Sequence, residues 1–343
     1  MAHALSANPH FIGSAAHASL ASQPLGFIDI GARGGAHKLI EPIADMAAVM
    51  GFEADPSEFE RLQREAKTWP FAVSHILPTA LSDKTGEATL YLTRNPNNIS
   101  LLEPDADFAA RYGNSGLDVI GEVRVKTTTL DQAAWAPENA GQRWGELLKV
   151  DAQGADYFIL QGARRTLAER TVAVVCEALV LQMYEGQKLF SDIEADLRGL
   201  GFAFYGFVET NMRSKRLLDK RTMVGRERLF WADAVFLKDP VSATGKGPRL
   251  TERQSHALYV SALLFGYYDF ALELALAYPP EEFERARRLV ADLAAYAPDR
   301  TAEDVRMMLA RIEADPANAN VHAGRYVDER RTNFDYRDIP SSD

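Results

Sequence analysis

Between residues 25 and 240, short apolar runs alternate with amphipathic stretches, and this alternation constrains the fold more than anything else in the chain. A chain that repeats strand and helix in this way builds a mostly parallel sheet with helices on both faces. Residues 26–30 read as a buried first strand that ends in glycines, and residues 49–53 as the second strand. A helix is expected over residues 37–48, bent or delayed by Pro42. Another runs from Pro56, a good first helical residue, to Ala66. Residues 71–81 hold a third strand, and residues 88–92 alternate as an extra edge strand would. Further strands are expected at residues 121–128, 147–151 and 172–177, with helices over 155–167 and 187–200. Residues 202–208 and 229–237 have no obvious helix between them and read as an antiparallel pair. The expectation is an α/β fold with a mostly parallel seven-stranded sheet, closed by a β-turn-β element and carrying a C-terminal helical appendage.

Near Pro240 the composition changes to a Ser/Gly/Pro-rich linker, and helical patterns follow with Thr251 as a plausible N-cap. The chain divides on this basis into a leader (1–24), an α/β domain (25–240), a linker (241–250), a helical domain (251–318) and a polar, irregular tail (319–343). The leader is expected to fray, as termini usually do. Around Gly266 the pattern is that of a helical hairpin, and the C-terminal helices are the candidate surface for self-association.

Hydrophobic residues make up 47% of the chain and charged residues 25%, which suffices for a sizeable core and excludes a disordered or coiled-coil chain. The formal net charge of −10 lacks the basic footprint of a nucleic-acid-binding domain. A single cysteine, Cys176, forbids an intrachain disulfide and suits a reducing compartment. The first Lys or Arg is Arg33, so a basic signal-peptide start is missing, and no apolar run reaches the ~18 residues of a membrane span. The expected location is the cytoplasm. The histidines show no zinc-ligand spacing, no P-loop or nucleophile elbow occurs, and no metal site is expected.

Chemistry concentrates where the first strand runs into Asp29-Ile30-Gly31-Ala32-Arg33-Gly34-Gly35. Glycines there let the backbone turn tightly and approach a ligand. Arg33 fills the second glycine place of the dinucleotide fingerprint and obstructs the seat of a pyrophosphate. About 20 residues on, the second strand ends in Glu53, whose carboxylate can accept both hydroxyls of a ribose, or can serve as a solvated strand-end acid. Together these features describe a nucleoside-binding α/β domain without a pyrophosphate seat, the form of S-adenosylmethionine.

At this point a family resemblance becomes specific. Residues 27–35 (FIDIGARGG), 51–56 (GFEADP) and 80–83 (ALSD) resemble successive motifs of the FkbM family of S-adenosylmethionine-dependent methyltransferases. So do residues 98–102 (NISLL), 127–131 (TTTLD), 148–156 (LKVDAQGAD) and 159–163 (ILQGA), and the ordered set spans residues 25–210. The resemblance implies a Rossmann-like class I methyltransferase fold with S-adenosylmethionine at the carboxyl ends of the first two strands. Carried over, it has Asp29, Gly31 and Gly35 shape the methionine end of the pocket, Glu53 hold the ribose and Asp83 lie near adenine. Arg33 stands where the family usually has Asn, so the loop's contact to the cofactor carboxylate would use a guanidinium. Asp156 stands in place of a usual Glu.

Methyl transfer is an in-line displacement whose electrophile comes activated with the cofactor. Positioning supplies roughly 7–11 kcal/mol, whereas a general base adds about 10²–10⁴-fold, so a well-held acceptor matters more than a well-held base. Asp151, at the end of the fourth main strand, is the best base candidate for an alcohol acceptor. Lys149 lies two residues earlier on the same strand face, to pair with Asp151 structurally or to orient the acceptor. Glu177 ends the next strand as a second candidate. His37 follows the glycine turn as a proton-transfer candidate or a plain helix-terminal residue, and Asp131 reads as an N-cap. Asn98 and Ser100 match the family loop on the acceptor side. Arg213, Lys215, Arg216, Lys220, Arg221, Arg226 and Arg228 form a basic stretch against Asp219 and Glu227. It is either a solvated loop or a flap, through Arg216 and Lys220, for an anionic acceptor such as a phosphorylated sugar. The expected reaction is O-methylation of a hydroxyl on a sugar, a glycan precursor or a natural product, the acceptor class coming from the resemblance. The alternatives are an N-methyltransferase and a non-catalytic nucleoside-binding scaffold.

Overall fold

A computed structural model describes residues 5–31, 35, 37–215, 217, 226–241, 247–294 and 298–328. Its strands are β1 (Leu25–Ile30), β2 (Ala47–Phe52), β3 (Val73–Leu77), β4 (Ala80–Leu81), β5 (Gly86–Thr93), β6 (Val119–Thr128), β7 (Leu147–Val150), β8 (Ala173–Leu179), β9 (Phe202–Arg213) and β10 (Arg228–Lys238). The helices are α1 (Ala15–Ser22), α2 (Pro56–Glu65), α3 (Ala106–Tyr112), α4 (Leu130–Ala134), α5 (Asp156–Gln161), α6 (Arg164–Glu169), α7 (Phe190–Gly199), α8 (Glu252–Phe265), α9 (Tyr268–Ala275), α10 (Pro280–Leu293), α11 (Pro298–Ala314) and α12 (Ala319–Asp328).

The main sheet has seven strands in the order β3-β2-β1-β7-β8-β10-β9. The pairs β1–β2, β2–β3, β1–β7 and β7–β8 are parallel, and β10 runs antiparallel to β8. This is the expected mostly parallel α/β sheet. Every residue of β1, β2 and β8 is buried, as central parallel strands covered on both faces must be. The edge strand expected at residues 88–92 instead belongs to a separate three-stranded sheet, β4-β6-β5, where β5 pairs antiparallel with β6.

Alternate residues of each strand point into different cores. Leu25 and Phe27, Ala47 and Val49, Leu147, Ala173 and Val175, and Val235 and Leu237 share the first core with α1, α8, α9 and α10. Ile28 and Ile30, Met50, Leu148 and Val150, Val174 and Cys176, and Phe236 share the second with α4, α5, α6 and α7. Helices α8, α9 and α10 therefore cover one face of the sheet. Accordingly, the chain up to Asn211 and Leu229–Leu293 form one compact unit, while Met212–Arg228 and the residues from Ala294 belong to a second.

The reason lies in the connections. Between β1 and β2 runs a 3-10 segment, Lys38–Met46, with Pro42 inside it and Ile43 out of helical geometry, so the α-helix expected over 37–48 does not form. So short a segment leaves much of that sheet face for other parts of the chain. The N-terminal leader supplies part of the cover rather than fraying: Leu5, Phe11, Ala16 and Leu20 are buried in the first core, and the Ser14 side chain caps α1. Helix α8 starts at the expected cap: Thr251 accepts from the Gln254 N–H, and the Gln254 side chain accepts from the Thr251 N–H. Three other expectations shift. The helix expected over 155–167 is split into α5 and α6, the tail after residue 319 begins with α12, and Thr129 rather than Asp131 caps α4. Asp131 reaches across to α6 and accepts from the N–H groups of Arg165 and Thr166 and from the Thr166 hydroxyl. Among the described residues, no helix is long and apolar enough to cross a membrane.

One ion pair ties the two ends of this layer to the sheet. Glu146, fully buried just before β7, accepts from Arg253 at 2.6 and 2.7 Å and from the Gly26 N–H at 3.2 Å. Arg253 also donates to the carbonyls of Ser19, Gln23 and Pro24. Arg143 Nε also donates to Glu146, at 3.2 Å, so Arg253→Ala leaves the buried carboxylate one cation and is expected to destabilise the protein by about 1.5–3 kcal/mol in urea unfolding.

Candidate active site

The two-residue period that builds the first core carries polar residues to the carboxyl edge of the same sheet face. Asp29 continues the row of Leu25 and Phe27, Lys149 that of Leu147, Glu177 that of Ala173 and Val175, and Asp233 that of Val235 and Leu237. The register sets Asp29 beside Lys149 and Glu177 beside Asp233. Lys149 Nζ lies 3.6 Å from Asp29 Oδ1 and 3.3 Å from Asp151 Oδ2. Asp29 Oδ2 also accepts from the His37 N–H at 2.8 Å, while the His37 ring caps the 3-10 segment by accepting from the Leu39 N–H.

The loop after β7 adds a second set of contacts. Gln153 Nε2 donates to Asp151 Oδ1 at 2.8 Å and to Glu177 Oε2 at 3.0 Å. Tyr184, fully buried, has a hydroxyl whose single proton is shared between Gln153 Oε1 at 3.2 Å and the Asn98 carbonyl at 3.3 Å. Ser100 donates to the Gln153 carbonyl at 2.8 Å. Asp156 closes the loop by accepting from the Ala152 and Gly154 N–H groups.

Charge at this edge is negative and crowded. Burial pushes the Asp29 carboxyl up, although Lys149 opposes the shift. Glu177 is pushed well above the usual carboxylate range by burial and by the charges of Asp151, Asp156 and Asp233. Burial and Asp151 raise Asp233 to about 6, and burial raises Asp156 to about 7. Lys149 is raised overall: burial pulls it down, but Asp29 and Asp151 outweigh that. Burial lowers His37. Cys176 is buried among apolar neighbours, and that burial pushes its thiol up, as befits an inert core cysteine.

Beside the cluster, at the carboxyl ends of β1, β2 and β7, opens a cavity of about 370 Å³. Gly31, Phe52, Glu53, Leu81, Ser100, Asp151, Gln153 and Ile159 are among its lining residues. Gly31 has φ of +83°, and a Cβ there would collide with the Asp151 carbonyl, so glycine is required where the turn crosses the end of β7. Glu53 directly follows β2, and its carboxylate accepts from the Asp55 N–H at 2.8 Å; Asp55 in turn accepts from the Glu58 N–H at the start of α2.

The structure thus brings Gly31, Glu53, Ser100 and Asp151 to one cavity, with Asp29, Lys149 and Glu177 directly behind Asp151. Asn98 stands at the flank, between Asn97 and Ile99 in the lining, and contributes its carbonyl to Tyr184. Gly35 lies outside the lining, and so does Asp83, which is exposed after β4 and accepts from the Ser82 hydroxyl. Thr79, Ala80 and Leu81 line the wall in its stead. Arg33, Arg216 and Lys220 lie outside the described residues. Gln153, Tyr184 and Asp233 are the residues that sequence reasoning passed over. Asp233 carried a signal, a lone carboxylate inside an apolar strand run. Among the described residues, no cluster of His, Cys, Asp and Glu side chains could hold a metal ion.

The strand order, with the antiparallel β10 inserted beside β8 and a cavity at the carboxyl ends of β1 and β2, defines a Rossmann-like class I methyltransferase fold. Residues 29–204, just over half the chain, match the methyltransferase FkbM domain, and the chain belongs to that family. Among solved structures it is similar to the methyltransferase FkbM from Methylobacillus flagellatus KT, with 11% identity and a TM-score of 0.36, covering 62% of this chain. The match spans 43% of that protein, less than half its length. It is also similar to magnesium protoporphyrin IX methyltransferase from Synechocystis PCC 6803, a structure with bound SAM (11% identity, TM-score 0.30, 64% of this chain and 74% of that one). No curated protein sequence matches the chain.

The raised carboxyls make a pH prediction. From about 4 to about 7 the folded protein keeps protons on Asp156 and Asp233 that the unfolded chain, with Asp near 3.8, has released. Their stabilisation is complete below that window and is lost as pH rises through it. Glu177→Gln removes one such group, so its urea-unfolding midpoint is expected to gain on the wild type as pH rises from about 4 to 7; a constant difference across that range would refute the assignment.

Proposed function

We propose that the protein is an S-adenosylmethionine-dependent O-methyltransferase acting on a hydroxyl of a sugar, a glycan precursor or a natural product. The observation that carries this reading is the cavity of about 370 Å³ bounded by the Gly31 turn, the Glu53 carboxylate and Asp151. Its volume lies in the range of small-molecule sites. Its residues fit such a cofactor: Glu53 would accept hydrogen bonds from the ribose hydroxyls, and Phe52, Leu81 and Ile159 offer apolar walls to a purine. The Gly31 turn would leave room for the amino-acid end, and Asp151 adds negative charge next to a cationic sulfonium. When bound, S-adenosylmethionine supplies a methyl group already activated toward displacement.

Asp151 is the general base in this reading, with Lys149 and Gln153 each holding one of its oxygens. Glu177 sits one hydrogen bond behind. The described part of this face is acidic, since Asp233 and Glu209 lie near the same groups, and it favours a neutral hydroxylated acceptor. An anionic acceptor rests on Arg216 and Lys220, outside the described residues. Exposed Met307 and Leu309 on α11 and Val321 and Val327 on α12 support self-association through the C-terminal helices. The buried free thiol supports a cytoplasmic location.

Two measurements test the reading. Glu53→Ala is expected to weaken S-adenosylmethionine binding by more than about 1 kcal/mol in isothermal titration; binding of NAD with indifference to S-adenosylmethionine defeats the assignment. Asp151→Asn is expected to cut turnover of a hydroxylated acceptor by about 10²-fold or more, followed by mass spectrometry of the methylated product. Tight cofactor binding without turnover across a broad panel of hydroxyl acceptors points instead to a scaffold.

A further inference from the structure

Among the described residues, Gln153 alone of the non-glycine residues holds a positive φ, at 52°. Such a conformation costs of order 1–3 kcal/mol and persists only where the surroundings over-determine it. Here they do. Ser100 fixes its carbonyl, Asp156 clamps the N–H groups on either side of it, and at the next residue a Cβ on Gly154 would meet the Tyr184 ring at 2.7 Å. The strained backbone places the side-chain amide between two carboxylates that face the site.

The amide has one orientation that satisfies its partners. Both Nε2 hydrogens are used, one on Asp151 and one on Glu177, and Oε1 accepts from the Tyr184 hydroxyl, whose single proton is shared with the Asn98 carbonyl. With Lys149 on its other oxygen, Asp151 is held at both ends. It still lines the cavity and is about one-third exposed, whereas Glu177 is 8% exposed. Of the two acids joined by the bridge, Asp151 is the one open to an incoming group.

We propose that Gln153 is a positioning residue: its amide locks the Asp151 carboxylate toward the acceptor and selects Asp151, rather than Glu177, to take the acceptor's proton. The inference rests on the reading of Asp151 as the base. As the acceptor oxygen gains the methyl group and the donor's S–C bond breaks, the hydroxyl proton passes to the Asp151 carboxylate, and Gln153 stays neutral throughout. A neutral donor between the two acids holds them together without adding a charge to an edge already crowded with carboxylates, where burial and the neighbouring charges push Glu177 well above the usual carboxylate range.

Gln153→Gly tests this without endangering the fold, because glycine adopts that φ without strain. The expected variant unfolds at the same or a higher urea concentration and binds S-adenosylmethionine within about threefold of wild type. Its kcat falls at least about tenfold, and the acid limb of its pH–rate profile moves. Independently of any acceptor, the Glu177 titration followed by carboxyl carbon NMR shifts upward, since a donor to the charged form is gone. Wild-type kcat and pH profile in the glycine variant, alongside an inactive Asp151→Asn, overturn the proposal while leaving the methyltransferase reading intact. An active Asp151→Asn instead removes the base assignment and the proposal with it. An unmoved Glu177 titration shows that the bridge is not made in solution and overturns the proposal too. Should the glycine variant fold poorly, Tyr184→Phe removes only the hydroxyl that orients the amide and is expected to lower kcat with cofactor affinity retained.

Discussion

A parallel sheet buried on both faces is the constraint on which the rest of this molecule depends. Every residue of β1, β2 and β8 is shut away from water, so each face must be roofed along its length. The second core is roofed by α4 to α7, which arrive through the ordinary crossover connections. The first is not, because Pro42 keeps the β1–β2 connection to a 3-10 segment. Both the N-terminal residues and α8–α10 are drawn into the gap, and the Glu146–Arg253 pair is where those pieces meet the sheet.

The same geometry explains why the candidate site sits where it does. Toward the carboxyl edge, the row that packs as Leu, Phe and Val changes to Asp29, Lys149, Glu177 and Asp233. Two turns then complete the site, the Gly31 bend across β7 and the strained loop at Gln153. Negative charge therefore gathers at this edge, and Lys149 neutralises only part of it. What remains is a set of carboxyls, each pushed up by burial and by the charges of its neighbours.

Much of this was legible in the chain itself. The main-sheet strands follow from apolar runs, Glu53 and Asp151 from acids at strand ends, and the cap at Thr251 from its capping box, because each is decided by neighbours in sequence. What was not legible depends on contacts between distant residues. Phe11 looks like part of a leader until the bare sheet face opposite it is known. Asp131 looks like a local cap, but its partners lie on α6, more than a helix away. Asp83 follows a strand, as an adenine-side acid would, yet the chain moves into the small sheet at β4 and carries it out of the cavity. Gln153 gives no hint at all, since its importance lies in a backbone angle set by Ser100, Gly154 and Asp156 together.

Arg253 has one more consequence, for the order in which the protein is made. The helix that carries it leaves the ribosome after all seven strands of the main sheet, although its partner Glu146 and the carbonyls of residues 19–24 emerged long before. Throughout that interval one apolar side of the nascent sheet has only the N-terminal residues over it, and the area that α8–α10 later cover is the kind of surface that makes folding intermediates prone to aggregate. Synthesis of this chain therefore passes through a vulnerable stage that ends only when α8, α9 and α10 have emerged.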